Sequence, residues 1–148
     1  MFRKPPSSEY LECRNTGLSD TRETLIRYRV EQADESLESA QILLESEKLR
    51  PSVSRSYYAM FYAILALLVK KGLRISKHTG VISVFNREFV KKGIFDKELS
   101  SWLQEAFDLR QRADYRELFT VSPERAEKVL GQARTFVNEI KTTIANKR

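Results

Sequence analysis

Residues 51–72 read PSVSRSYYAMFYAILALLVKKG, and this stretch decides the fold. Wound at about 3.6 residues per turn, Val53, Tyr57, Tyr58, Met60, Phe61, Ile64, Leu65, Leu67 and Leu68 cover most of the circumference of one helix. A helix apolar nearly all round belongs at the centre of a bundle, with Leu65 among its core residues. Pro51 suits the first turn of such a helix. Lys70 and Lys71 stand where cations favour the C-terminal end of the dipole, and Gly72 where a cap is needed.

The helical period persists on both sides. Upstream, Asp20 and Glu23 make a capping-box pattern. Ile26, Val30, Ala33, Leu37, Ala40 and Leu44 then alternate steps of four and three, which draws one apolar stripe. Residues 1–18 carry Pro5, Pro6 and Gly17 without a period; they read as a loosely ordered extension, with the domain over 19–148. Downstream, a loop from Leu73 to Thr79 leads to a shorter helix with Val81, Ile82, Val84, Phe85 and Phe89, stopped by Gly93. Asp96 caps a fourth helix whose stripe is Leu99, Leu103 and Ala106, flanked by Trp102 and Phe107. Tyr115 to Val121 reads as a connector. Ser122 and Pro123 give a cap followed by a first-turn proline. Ala126, Leu130, Ala133, Val137, Ile140 and Ile144 form the last stripe. The fold class is all-α: an antiparallel up-and-down helical bundle of four long helices plus one shorter helix.

Composition agrees. A chain of 148 residues with 41% hydrophobic content fits one domain, and 5 Gly with 4 Pro leave little turn chemistry for a many-stranded sheet. Lys and Arg number 26 against 20 Asp and Glu, a net charge of +6. That excess suits a polyanion such as RNA; a basic surface with mixed charges is the plainer reading. Cys13 is the single cysteine and His78 the single histidine, so the expectation is no disulfide, no metal and no cofactor. The start, MFRKPPSS, lacks the apolar core of a leader peptide. The apolar run Ala63 to Val69 is short for a bilayer. Both point to a cytoplasmic protein away from membranes. No Gly-rich phosphate loop, Gly-x-Ser-x-Gly elbow or internal repeat is present.

The most informative anomaly lies in the fourth helix. Its stripe continues from Leu99, Leu103 and Ala106 to Arg110 and then Ala113, so a guanidinium falls on a core-facing line. Asp114 stands four residues on, about 40° around the helix. A guanidinium there needs a partner or a wet cleft. The plainer reading is a helix-end ion pair. The functional one adds Tyr115, Arg112 and Arg116: a phosphate fork, a carboxylate and a phenol within a short span. In an unbroken helix Tyr115 points well away from Arg110; it joins only through a bend or a second subunit. Lys77 and His78, in Ser76-Lys77-His78-Thr79-Gly80, sit at an expected helix start, where they either cap the helix or help bind an anion. Tyr57 and Tyr58 read chiefly as core, with a hydroxyl able to reach the Arg110 cluster.

Four stretches together resemble the HEPN superfamily, in particular its compact single-domain bacterial and archaeal branch. They are Ser54-Arg55-Ser56-Tyr57-Tyr58-Ala59-Met60-Phe61-Tyr62-Ala63, Ser76-Lys77-His78-Thr79-Gly80-Val81-Ile82, Phe85-Asn86-Arg87-Glu88-Phe89-Val90 and Arg110-Gln111-Arg112-Ala113-Asp114-Tyr115. The likeness covers about residues 24–145. It implies a helical bundle that usually forms a homodimer. It also implies membership of a group in which many proteins are metal-independent endoribonucleases or toxins and others partner a small nucleotidyltransferase. The family signature is an Arg followed a few residues later by a His. Arg110 matches the Arg, Gln111 stands at the adjacent polar position, and Tyr115 stands where the His is expected. Tyrosine, with a reference pKa of about 10, is a poor base near neutral pH.

Three functional classes follow as expectations. One is an RNA-cleaving component of a toxin–antitoxin pair, with Arg110, Asp114 and Tyr115 as catalytic residues and Arg112, Arg116, Lys77 and His78 contacting RNA. A second is a non-catalytic module that grips RNA or a nucleotidyltransferase partner. A third, a DNA-binding helical protein, is weakened by the lack of a helix-turn-helix with an exposed polar recognition face.

Overall fold

The computed structural model describes residues 18–73, 78–115 and 119–146, and the side chains of 21–73, 80–115 and 119–146. Five helices run through them: α1 Leu18–Glu45, α2 Leu49–Lys71, α3 His78–Phe85, α4 Lys97–Tyr115 and α5 Pro123–Ala145. No strand occurs among the described residues. The all-α expectation of four long helices and one shorter one is met. α1 as described takes in Leu18, the last residue of the expected extension. The expected extension otherwise lies outside the described residues.

The ends follow the capping chemistry read from the sequence. Gly72 adopts a φ of 74°, and the N–H groups of Gly72 and Leu73 return to Val69 and Leu68. Asp96 Oδ1 accepts the N–H of Glu98 at 3.0 Å at the start of α4. Ser122 Oγ accepts the N–H of Arg125 at 3.1 Å, with Pro123 in the first helical position. α3 starts at His78, inside the stretch expected to be a loop. It passes into a π-helical turn over Asn86–Val90, which the sequence reading did not anticipate. One cap is unannounced: Glu47 takes a φ of 60° after α1, a left-handed position held by Lys48 N–H on the carbonyl of Leu43.

α2 is the axis of the bundle and packs on α1, α4 and α5. By length and composition it could cross a membrane, but its apolar side is mostly buried against the other helices. Small residues let α1 and α2 approach closely: Ala33, Ser36 and Ala40 meet a side of α2 holding Ser52, Ser56 and Ala59, and Ser52 Oγ donates to the carbonyl of Ala40 at 2.8 Å. At the far end Phe85, Phe89, Phe95 and Phe136 cluster with ring centroids 5.3–6.2 Å apart.

Burial is not uniform around α2, and this corrects the reading of a helix covered on nearly all sides. Its fully buried residues occupy about two-thirds of the circumference. Arg50, Ser54, Arg55, Tyr58, Tyr62, Leu65 and Val69 are only half-buried. Projected on the helix, these seven fall in one arc of about 140°. The arc is an open strip along α2 in the gap between α1 and α4. Leu65 lies in this strip and not at the core position expected for it.

Ile64→Asp should therefore leave the chain insoluble or molten. An unpaired carboxylate at that fully buried position costs several kcal/mol, against a typical total stability of about 5–15 kcal/mol. Leu65→Asp should be clearly milder. Solubility and thermal melting of the two variants check this; equal damage would mean that Leu65 is packed inside the bundle as Ile64 is.

Candidate functional site

The polar residues of the structure's middle gather at one end of the open strip. Arg50, Ser54 and Tyr58 recur at steps of four along α2 and so lie nearly above one another. Arg50 reaches the end of α4, where its Nε and Nη2 donate to the carbonyl of Ala113 at 3.0 and 2.6 Å. That carbonyl lies near the described end of α4, and the guanidinium bound to it ties α4 to α2. One residue on, Ser54 Oγ donates to Asp114 Oδ1 at 3.2 Å.

Arg110 crosses from α4 to the same place. Its Nη2 donates to the Tyr58 hydroxyl at 2.8 Å, and its guanidinium carbon lies 5.3 Å from the centre of the Tyr58 ring. Nε is 3.1 Å from Asp114 Oδ2, but that N–H is not aimed at the carboxylate and makes no well-aligned hydrogen bond. The contact is chiefly coulombic. The Arg110 side chain is 17% exposed and that of Asp114 36%, so the pair sits at the mouth of the strip, neither sealed nor fully wet. From the α1 side Arg55 comes to the same ring, 5.2 Å from its centre, while its Nη2 donates to the buried Ser36 hydroxyl at 2.8 Å. Tyr58 is thus a shared floor for two guanidiniums.

Tyr57 lies behind this floor. It is fully buried, edge-on to Tyr58 with centroids 5.4 Å apart and 5.6 Å from Phe107, and its hydroxyl has no hydrogen-bond partner. Burial pushes its phenol up to about 12; the nearby Arg110 charge opposes that shift and Tyr58 adds to it.

The expected residues divide accordingly. Arg110, Asp114 and Tyr58 come together, with Tyr57 beneath them. The stripe of α4 runs through Leu99, Leu103, Ala106 and Ala113 as extrapolated, with Leu109 added at its edge; Arg110 falls between Leu99 and Leu103 in projection, on the core-facing side, and is half-buried where they are buried. α4 runs unbroken to Tyr115, which is 73% exposed and about 140° around the helix from Arg110. Within one chain it does not join the cluster. Arg112 and Gln111 are exposed, and Arg112 projects from the side of α4 roughly opposite Arg110. His78 is the first residue of α3 and its side chain lies outside the described set, as do Lys77 and Arg116 altogether. Among the described residues, no three His, Cys, Asp or Glu side chains come together as a metal site.

Arg50, Ser54, Arg55 and Ser36 were not foreseen as site residues. A signal for three of them existed: Arg50, Ser54 and Arg55 are the polar interruptions on one side of an otherwise apolar helix, as Arg110 is on α4. Ser36 carried none, because a small serine between helices is ordinary.

Comparison with known proteins gives the same family by two routes. A family model described as HEPN domain matches residues 26–143. A UPF0332 protein of Thermotoga maritima is 42% identical over 123 residues, covering 83% of this chain and 93% of that one. Two proteins of Methanocaldococcus jannaschii, each named as a candidate toxin, are 39% and 38% identical. The first alignment covers 80% of both chains, the second 84% of this chain and 92% of its relative.

The Tyr57 hydroxyl makes alkaline stability the readout of this site. Folding holds the phenol neutral, whereas an unfolded chain ionises it near 10. The stabilisation is fully present below pH 10 and is lost as pH rises through about 12. Tyr57→Phe should match or exceed wild-type stability at pH 8, since it removes an unpaired buried hydroxyl. It should lose less stability than wild type by pH 12, a difference on the order of 1–3 kcal/mol. Urea unfolding at pH 8 and 11 measures this; parallel curves would contradict the burial of that hydroxyl.

Proposed function

The chain belongs to the HEPN domain family, and from that membership we propose that it is a toxin-like, RNA-directed component of a toxin–antitoxin pair acting as a metal-independent endoribonuclease in the cytoplasm. The observation that carries the reading is the half-buried Arg110, held between Tyr58 and Asp114 at the mouth of an open, arginine-rich strip. The candidate-toxin names of two relatives support the toxin side of it.

RNA brings its own nucleophile. In the proposed reaction the 2′-oxygen attacks the neighbouring phosphorus and loses its proton. The bond to the 5′-oxygen of the next nucleotide breaks, and that oxygen gains a proton. The products are a 2′,3′-cyclic phosphate and a free 5′-hydroxyl. Arg110 holds the non-bridging oxygens and stabilises the charge that builds on them. Asp114 orients Arg110 or takes the 2′-proton, and Ser54 fixes the carboxylate that does so. Tyr115 binds or protonates the leaving oxygen, and because it faces away from Arg110 in its own chain, it does so from a second subunit. The proposed homodimer covers the apolar end of the strip, Tyr62, Leu65 and Val69, and brings two copies of α4 to one groove. Arg112, Arg116, Lys77 and His78 extend the phosphate contacts.

A second reading is favoured by the exposure of Tyr115 and its place at the expected histidine position. In that reading the chain is a non-catalytic module that grips RNA or a nucleotidyltransferase partner.

The two readings separate in one assay. Single-stranded RNA should be cut without added metal and in the presence of a chelator, while DNA and 2′-O-methyl RNA stay intact. Arg110→Ala should slow cleavage by about 100-fold or more. Light scattering at micromolar concentration should report a dimer. RNA bound but uncut by wild type selects the second reading, and cleavage undiminished in Arg110→Ala rules out the proposed active site.

A further inference from the structure

Arg55 is the group that the proposed reaction leaves unused. It is half-buried in the strip, it is permanently charged, and its Nε is buried without an acceptor. Its partners are a neutral serine hydroxyl, Ser36 Oγ at 2.8 Å, and the face of the Tyr58 ring. Among the described residues no carboxylate pairs with it, whereas Arg110 has Asp114, Arg125 has Glu105 and Arg87 has Glu88. A guanidinium withdrawn from water and left without a counter-charge is a ready site for an anion. The Ser36 hydroxyl holds one edge of the fork and Tyr58 supports its plane, so the group is already oriented.

Arg110 faces the same ring from α4. The guanidinium carbons lie 5.2 and 5.3 Å from the ring centre, so they are at most 10.5 Å apart. Any spacing within that bound is short enough for one strand to bring two successive phosphates to the two heads. Asp114 offsets Arg110 alone, which leaves the Arg55 charge for the second phosphate. We propose that Arg55 binds a second phosphate next to the one taken by Arg110, so that the site recognises an oligonucleotide with phosphates on both sides of one nucleoside. This rests on the RNA reading above. It makes Arg55 a substrate-contacting residue that selects strand length.

The experiment uses the full chain with uncleavable 2′-O-methyl RNA: a dinucleotide with one phosphate and a trinucleotide with two. Wild type should bind the trinucleotide about ten- to a hundredfold more tightly than the dinucleotide, the range expected for one charge-assisted contact. Arg55→Gln should abolish that difference while leaving dinucleotide binding unchanged, and should lower the salt slope for the trinucleotide by about 0.7. Arg110→Gln should weaken both ligands. Because Arg55→Gln also loses its bond to Ser36, the same step is tested on the unaltered protein. A trinucleotide with a neutral methylphosphonate at one of its two linkages should bind wild type like the dinucleotide. If Arg55→Gln and both methylphosphonate ligands bind as the parents do while Arg110→Gln is impaired, the Arg55 assignment falls and the RNA reading stands. If wild type binds neither ligand, or Arg110→Gln binds like wild type, both fall together.

Discussion

α2 must bury twelve residues and yet is too long and too broad for its neighbours to cover it completely. Each large apolar side chain withdrawn from water contributes roughly 1.5–3 kcal/mol, so the burial of Val53, Met60, Ile64, Leu67 and Leu68 dominates the favourable side of folding. α1, α4 and α5 take up the sides of α2 that carry these residues. What remains is the strip of Arg50, Ser54, Arg55, Tyr58, Tyr62, Leu65 and Val69. Along the middle of the central helix, the polar side chains left half-buried lie in that strip.

Arginine side chains can live there for a physical reason. Each has an apolar stem that lies along the helix and a planar head that needs acceptors. Arg50 donates twice to the Ala113 carbonyl and so ties α4 to α2. Arg110 is held by a phenol and a carboxylate, Arg55 by a hydroxyl and an aromatic face. The three heads are graded from structural to open. Arg50 fastens two helices, Arg110 is partly neutralised by Asp114, and Arg55 has no carboxylate partner among the described residues. The proposed function depends on both a fixed scaffold and the guanidiniums it presents.

The resemblance to HEPN proteins implies an Arg and a His working together, and Tyr115 stands at the position where that His is expected. α4 continues as a regular helix to Tyr115, which turns its ring away from Arg110. A composite site across two subunits reconciles that geometry with catalysis, and an RNA-gripping module reconciles it without. The Arg110–Tyr58–Arg55 arrangement is common to both, since gripping a strand precedes cutting it.

The sequence by itself determined the elements and their ends. The four-and-three spacing in α1 and α5, the Ser122–Pro123 start, the Gly72 stop and the Asp96 cap are local facts, fixed within a few residues by hydrogen bonding and backbone preference. Arg110 and Asp114 could be paired from sequence because they are four apart on one helix. Periodicity reports which side of its own helix a residue occupies, but not which other helix covers that side. For that reason Leu65, apolar and on a core helix, was expected inside and lies in the open strip. Arg110 falls on the core-facing line of α4 as its spacing predicts, but only packing against α2 leaves it half-buried and brings it to Tyr58. The junctions of Arg50 with Ala113, Ser54 with Asp114, Arg55 with Ser36 and Arg110 with Tyr58 join residues far apart along the chain. They exist because three helices pass within side-chain reach of one point, and only the tertiary structure decides where that point is.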